Sequence, residues 1–226
     1  MNDLLNSDQE FKALLNHLQQ FIKKINQNDL LKYLDQAVGL TTLERQILNL
    51  MIYGKVFGPE ARQDYLTRLL DRTSFLDQLK LLLSKPKLNG HFSAIIFLDL
   101  DNFKAINDQY GHATGDQVLA IIGARISSSI RAYDLACRWG GDEFILVLQN
   151  IQTIDFLRQL SNRILTIISA DLRLNSKESL QIFPSASIGV AVIDNVNLGP
   201  MDFIDRADKA MYRAKKAGKN CIEYCS

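Results

Sequence analysis

The chain has 226 residues, 47% hydrophobic and 23% charged, with a formal net charge of +1. That length and mixture suit one full domain with an appendage, or two small domains, with enough apolar residues for a core. The near-neutral balance gives no basic field for a nucleic-acid partner, although a local site can still bind a nucleotide phosphate.

No apolar run approaches the ~18 residues of a membrane span, so no membrane insertion is expected. The start, Met-Asn-Asp-Leu-Leu, lacks the basic and apolar regions of a secretion signal. Three cysteines, Cys137, Cys221 and Cys225, are too sparse and too odd in number for a disulfide framework. The expected location is cytoplasmic.

Residues 1 to 58 read as all-helical. Leu4, Phe11, Leu15, Leu18, Ile22 and Ile25 recur at three- and four-residue steps, forming one apolar seam. A second short helix carries Leu30, Leu31, Leu34 and Val38 and ends at Gly39. Thr41-Thr-Leu-Glu44 spells a capping box for a third helix. The segment holds no cluster of chemistry-bearing side chains. It reads as a dimer-forming module, although the same residues also suit an intramolecular bundle.

Gly58-Pro59 marks a boundary, and residues 59 to 226 alternate strands and helices. A helix is expected over Ser74 to Ser84, capped by Thr73. A wholly apolar, hence buried, strand is expected over Ser93 to Leu98. A helix over Asp116 to Ser129 follows, and Leu135 to Trp139 and Phe144 to Leu148 flank Gly140-Gly141 as a β-hairpin. Thr153 to Ser169 reads as helix, Gln181 to Val192 as strand and Phe203 to Ala217 as helix. This order predicts an α/β fold with a mixed sheet and surrounding helices.

Two acidic groups follow apolar strands: Asp99-Leu100-Asp101, and Asp142-Glu143 beside the glycine turn. Charges in such places are costly unless a cation pairs with them. If the two strands are neighbours, Asp99, Asp142 and Glu143 converge as hard oxygen ligands suited to Mg²⁺. Either group alone reads equally well as a turn carrying solvated acids. Asn102-Phe103-Lys104 would form a turn into the next helix, where free N–H groups favour phosphate. Asn107 offers an amide donor and Asp116 a carboxylate acceptor, which suit O6/N7 and N1/N2 of guanine. Lys215 and Lys219 lie four apart near a helix end, able to neutralise a triphosphate or simply to form a solvated cap.

The stretch Phe97-Leu-Asp-Leu-Asp-Asn-Phe-Lys-Ala-Ile-Asn-Asp-Gln-Tyr-Gly-His-Ala-Thr-Gly-Asp116 resembles the long motif of GGDEF-domain diguanylate cyclases. Arg138-Trp-Gly-Gly-Asp-Glu-Phe144 carries the family's naming motif, and Ser187-Ile-Gly-Val-Ala191 and Ala207-Asp-Lys-Ala-Met-Tyr-Arg-Ala-Lys-Lys-Ala-Gly-Lys-Asn220 match later blocks. Asp64-Tyr-Leu-Thr67 and Arg72 match the family's lead-in segment, so the resemblance runs from about residue 60 to the end.

The resemblance implies a palm-like, nucleotide cyclase-type domain that condenses two GTP into cyclic di-GMP across a homodimer. It implies Asp99, Asp142 and the Leu100 carbonyl as ligands of two Mg²⁺ ions, with Mn²⁺ as a substitute. Glu143 would bind the second metal or help deprotonate the ribose 3′-hydroxyl. Asn107 and Asp116 would read guanine, while Asn102, Phe103, Lys104, Lys215 and Lys219 would contact phosphates.

Arg131-Ala-Tyr-Asp134 resembles the family's RxxD inhibitory motif, implying a product site at Arg131 and Asp134; an ordinary loop ion pair is the alternative. Two stretches depart from the family. Arg68-Leu-Leu-Asp-Arg72 stands where Gly-Leu-Pro-Asn-Arg is usual, and Lys219 stands where arginine is common. The competing functions are a silent module that senses GTP or cyclic di-GMP, whose naming motif is usually eroded, and a cyclase for another nucleotide.

Overall fold

The computed structural model describes residues 62–84, 90–131, 133–174, 180–194 and 198–225. The helices expected over residues 1 to 58 and the boundary at Gly58-Pro59 lie outside the described residues.

The central strand β1 (Phe92–Leu100) is buried from Ala94 onward. It is flanked on both sides, by β3 (Glu143–Ile151) and by β6 (Ala186–Ile193), both antiparallel. Burial on both faces explains why its sequence is a continuous apolar run rather than an alternating one. The edge strand β2 (Leu135–Gly140) pairs with β3, and β7 (Ile222–Tyr224) runs parallel to β6 at the opposite edge. The mixed sheet therefore has the order β2-β3-β1-β6-β7. A two-residue pair, β4 (Leu172–Arg173) and β5 (Gln181–Ile182), stands apart from it.

Side-chain alternation divides the core between two layers. Ala94, Ile96 and Leu98 of β1 cluster with Val118, Ile122 and Ile126 of α3 (His112–Ser129) and with Leu157, Ile164 and Ile168 of α4 (Ile154–Ser169). Ile95 and Phe97 point the other way, toward the layer of α1 (Arg72–Leu83), packed on β2, and α5 (Pro200–Lys216), which crosses β6 and β1. On that face a Cβ at Gly189 would lie 2.0 Å from the Ala207 carbonyl oxygen. Only glycine lets α5 touch the sheet backbone, and this close approach delivers the C-terminal end of α5 to the end of β1. On the other face, the helices cap each other. Arg125 of α3 donates to the Ala170 and Asp171 carbonyls at 2.6 and 2.7 Å, and Arg163 of α4 donates to Ser129 O at 2.5 Å. Each cation thus satisfies carbonyls that a helix end leaves open.

Several boundaries differ from expectation. Asp71, not Thr73, caps α1, its carboxylate accepting from Ser74 N at 2.7 Å. The turn expected after Asn102 is a helix, α2 (Phe103–Tyr110), and after Gly111 at φ +83° α3 begins at His112, four residues before the expected start at Asp116. The strand expected over Gln181 to Val192 is split into β5 and β6 by the Phe183-Pro184-Ser185 stretch, where proline has no N–H for a ladder. Asp116 therefore sits inside α3 rather than at its first residue.

Candidate active site

The β2–β3 hairpin closes through Gly141 and Asp142, with Gly140 opposite Glu143. Gly141 takes φ +29°, a value open to glycine, and its carbonyl accepts from Arg138 Nε at 2.9 Å. Because β1 and β3 pair antiparallel, Asp99 falls directly opposite Glu143. The Leu100 N–H donates to the Asp142 carbonyl at 3.2 Å, carrying the pairing to the hairpin tip. Asp99, Asp142 and Glu143 thus share one end of the sheet, as expected if the strands were neighbours.

Asp99 shares the α5 face with Ile95 and Phe97, and Lys215 Nζ of α5 meets its carboxylate at 2.8 Å. Burial raises the Asp99 carboxyl above its ordinary value; the Lys215 hydrogen bond opposes this, and the charges of Asp142 and Asp101 add to it. Glu143 is raised first by burial and then by the charges of Asp99, Asp142 and Asp208. A half-buried group of acids, faced among the described residues by Lys215, favours a further cation, and its donors are the hard oxygens Mg²⁺ prefers. Among the described residues no three acid, histidine or cysteine groups already form a cage.

Asp101, grouped with Asp99 in the sequence, has a separate task. It is 7% exposed and accepts from Ser187 Oγ at 2.7 Å, Ser185 Oγ at 2.9 Å and Asn220 N at 2.9 Å. It ties the end of β1 to the start of β6 and to the turn after α5. In that turn Lys219 and Asn220 take φ +64° and +47°, and Lys219 Nζ reaches Asn102 Oδ1 at 2.6 Å. Lys219 is therefore placed by a left-handed turn just beyond the helix that carries Lys215. Both lysines nonetheless converge on the junction between β1 and α2. Phe103 is only 8% exposed and forms part of the wall of the neighbouring cleft. Sequence spacing could have flagged Asp101 only as one of two acids flanking Leu100; its three donors come from 84 to 119 residues away.

Beside the acids lies an open cleft of about 360 Å³, lined by Lys104, Asn107, His112, Asp116, Leu119 and Asp142, with Phe103, Arg138 and Gly141 completing the wall. It brings the expected base-reading residues next to the hairpin tip. His112, Leu119 and Arg138 were missed, having no spacing of their own to mark them. Arg138 also pairs with Asp64 at 3.3 Å, and Asp64 accepts from Thr67 N and Oγ1, each at 2.8 Å. The lead-in segment is thereby fastened to the hairpin that carries Asp142 and Glu143. Leu70 uses the N–H that a proline would lack, donating to the Ala136 carbonyl at 3.0 Å. Arg68, where glycine is usual, is forced to φ +60°.

Arg131 and Asp134 lie at the far end of the hairpin. Gln149, which holds Asp134, is six residues along β3 from Glu143, about 20 Å at strand rise. Arg131 is exposed, with its guanidinium over the rings of Tyr133 and Phe156. Asp134 is buried and accepts from the Arg131 and Gln149 backbone N–H groups, both at 2.9 Å. Of the pair, Arg131 is the one open to a ligand.

The family profile described as "Diguanylate cyclase, GGDEF domain" matches residues 61–221. The chain belongs to the GGDEF family. Among curated relatives, it is 36% identical over 170 residues to the uncharacterized protein YhcK of Bacillus subtilis, covering 74% of this chain and 46% of the relative. It is 36% identical over 194 residues to the diguanylate cyclase DgcS of Shewanella oneidensis, covering 83% and 62%. The chain thus spans less than two thirds of each.

Among solved structures, the GGDEF domain of YfiN from Pseudomonas aeruginosa matches with a TM-score of 0.65 at 32% identity, covering 71% of this chain and 99% of that one. The GGDEF domain of DgcB from Caulobacter crescentus, solved with c-di-GMP, matches with a TM-score of 0.67 at 27% identity, covering 75% and 98%. The palm-like fold expected from the resemblance is the fold observed. No described helix is long and apolar enough to cross a membrane.

Proposed function

We propose that this chain is a diguanylate cyclase that condenses two GTP molecules into cyclic di-GMP and releases two pyrophosphates. One observation carries the reading: Asp99 and Glu143 stand opposite each other at the sheet end, beside a cleft lined by Asn107 and Asp116. Asp99, Asp142, Glu143 and the Leu100 carbonyl would hold two Mg²⁺ ions, or Mn²⁺. When bound, these supply acidification of the ribose 3′-hydroxyl and neutralisation of charge at the α-phosphate.

The chain's own groups do the rest. Asp116 accepts from guanine N1 and N2, and Asn107 donates to its acceptor edge. Lys215, Lys219, Lys104 and the backbone N–H groups at Asn102 and Phe103 hold the triphosphate. The 3′-oxygen of one GTP then attacks the α-phosphorus of the other, displacing pyrophosphate, and the reverse attack closes the ring. Each domain holds one GTP, so two domains must face each other and the working unit is a homodimer. Residues 1 to 58 are assigned its assembly. Arg131 and Asp134 are assigned product feedback, with exposed Arg131 as the group that meets the ligand and buried Asp134 holding the Arg131 backbone in place.

The intact run Gly140 to Phe144 favours turnover over a silent sensor. The purified chain incubated with GTP and Mg²⁺, its products separated by chromatography, tests this. Cyclic di-GMP is expected, while GTP binding without any product assigns the chain to the silent class.

A further inference from the structure

We infer that Gly115 is a positioning residue for nucleobase selection: the space it leaves on α3 seats the Asn107 amide beside Asp116. The inference rests on the reading of Asn107 and Asp116 as the guanine contacts.

Helices α2 and α3 meet at Gly111, whose N–H donates to the Asn107 carbonyl at 2.8 Å. The chain turns back there, so Asn107 of α2 faces the first turns of α3. Gly115 is buried at this contact. A Cβ on it would lie 1.9 Å from Asn107 Oδ1, 3.0 Å from Asn107 Cγ and 3.2 Å from Phe103 Cζ. No side chain can coexist with the Asn107 amide in its present place.

The backbone does not ask for glycine at this position. Gly115 is absent from the residues with positive φ and lies inside a helix, where alanine is the better former. The glycine therefore works against its own helix, and what it provides is room. The atoms a Cβ would strike are the far ends of side chains, which can rotate away, so an added methyl displaces the amide and not the backbone. Asp116, the next residue, already lines the cleft together with Asn107. A displaced Asn107 would leave the carboxylate acceptor in place while removing the amide donor, and guanine would keep only one of its two readers.

Equilibrium binding of GTP and thermal melting test the inference on the full chain carrying Gly115→Ala, Asn107→Ala and the pair together. Gly115→Ala should weaken GTP binding about tenfold, the loss of roughly one hydrogen bond, with a melting temperature at or above that of the unmodified chain. Asn107→Ala should weaken binding similarly, and the double variant should be no weaker than Asn107→Ala alone. Should Gly115→Ala fold poorly, removing the Asn107 side chain as well should restore the melting temperature, and failure to do so refutes the steric link. Unchanged GTP binding by Gly115→Ala, or additive losses in the double variant, overturns the inference while leaving the base assignment intact. Unchanged GTP binding by Asn107→Ala overturns both.

Discussion

Lys219 Nζ lies 2.6 Å from Asn102 Oδ1, joining the turn after α5 to the start of α2 across 117 residues of sequence. Neither residue is held by the other alone. Asp101, one residue before Asn102, accepts from the backbone N–H of Asn220, one residue after Lys219. The buried carboxylate is the brace and the exposed lysine is what it positions.

Replacing that brace should damage both fold and substrate binding. Asp101→Ala leaves two serine hydroxyls and one backbone N–H without their acceptor, a loss of about 3 kcal/mol. The melting temperature should fall and the KM for GTP should rise. Asp101→Asn, which keeps an acceptor and most of the packing, should lie between the two. An Asp101→Ala protein with unchanged KM would show that Lys219 finds Asn102 without it.

The acids at the sheet end make a different prediction. Glu143→Gln and Asp99→Asn barely change side-chain size, so far-UV circular dichroism should match that of the unmodified chain. Cyclic di-GMP formation should fall at least about 100-fold, because each change removes charge where a cation is needed. Near-normal product formation by either variant would remove the metal assignment.

Arg68 occupies a left-handed conformation at φ +60° with an exposed side chain that gives little packing in return. Arg68→Gly should therefore stabilise the protein by about 0.5–1 kcal/mol, after allowing for glycine's greater unfolded-state freedom. Chemical denaturation reads this directly, and cyclase rate should be unaffected.

Asp134 predicts a pH dependence. Burial pushes its carboxyl up to about 6 from an ordinary 3.8, against hydrogen bonds from the Gln149 and Arg131 backbone and the charges of Arg131 and Arg163. The folded state holds this proton more tightly than the unfolded chain does. Its contribution is full below about pH 4 and is lost as pH rises through about 6, a change of at most about 3 kcal/mol. Asp134→Asn has no such proton, so the stability gap between the two proteins should be wider at pH 4.5 than at pH 7.5. An equal gap at both pH values would mean that Asp134 is ionised throughout.

Residues 1 to 58 carry the one prediction that rests on sequence periodicity alone. If their apolar seam joins two copies, light scattering should find the full chain dimeric. A truncation beginning near Pro59 should be mostly monomeric and poorly active. Equal assembly and equal rates for the two proteins would assign the seam to packing within the chain.

Much of the fold from residue 59 onward was legible in the sequence because its signals are local. An unbroken apolar run such as Ala94 to Leu98 must be a buried strand, and a glycine pair between two such runs must turn. Acids that directly follow a buried strand are costly enough to imply a partner. The family resemblance then named the partners. What stayed hidden was decided by contacts between distant residues.

Period and propensity could not tell Asp99, which faces Lys215 of α5, from Asp101, which is consumed by Ser185, Ser187 and Asn220. They could not reveal that Asn107 needs an empty place at Gly115, or that Lys219 reaches Asn102 through a left-handed turn. Secondary structure follows from neighbours along the chain, whereas which carboxylate meets a lysine follows from where α5 crosses the sheet. That crossing is set by the packing of Gly189 against Ala207, which are separated in sequence and adjacent only in the folded protein.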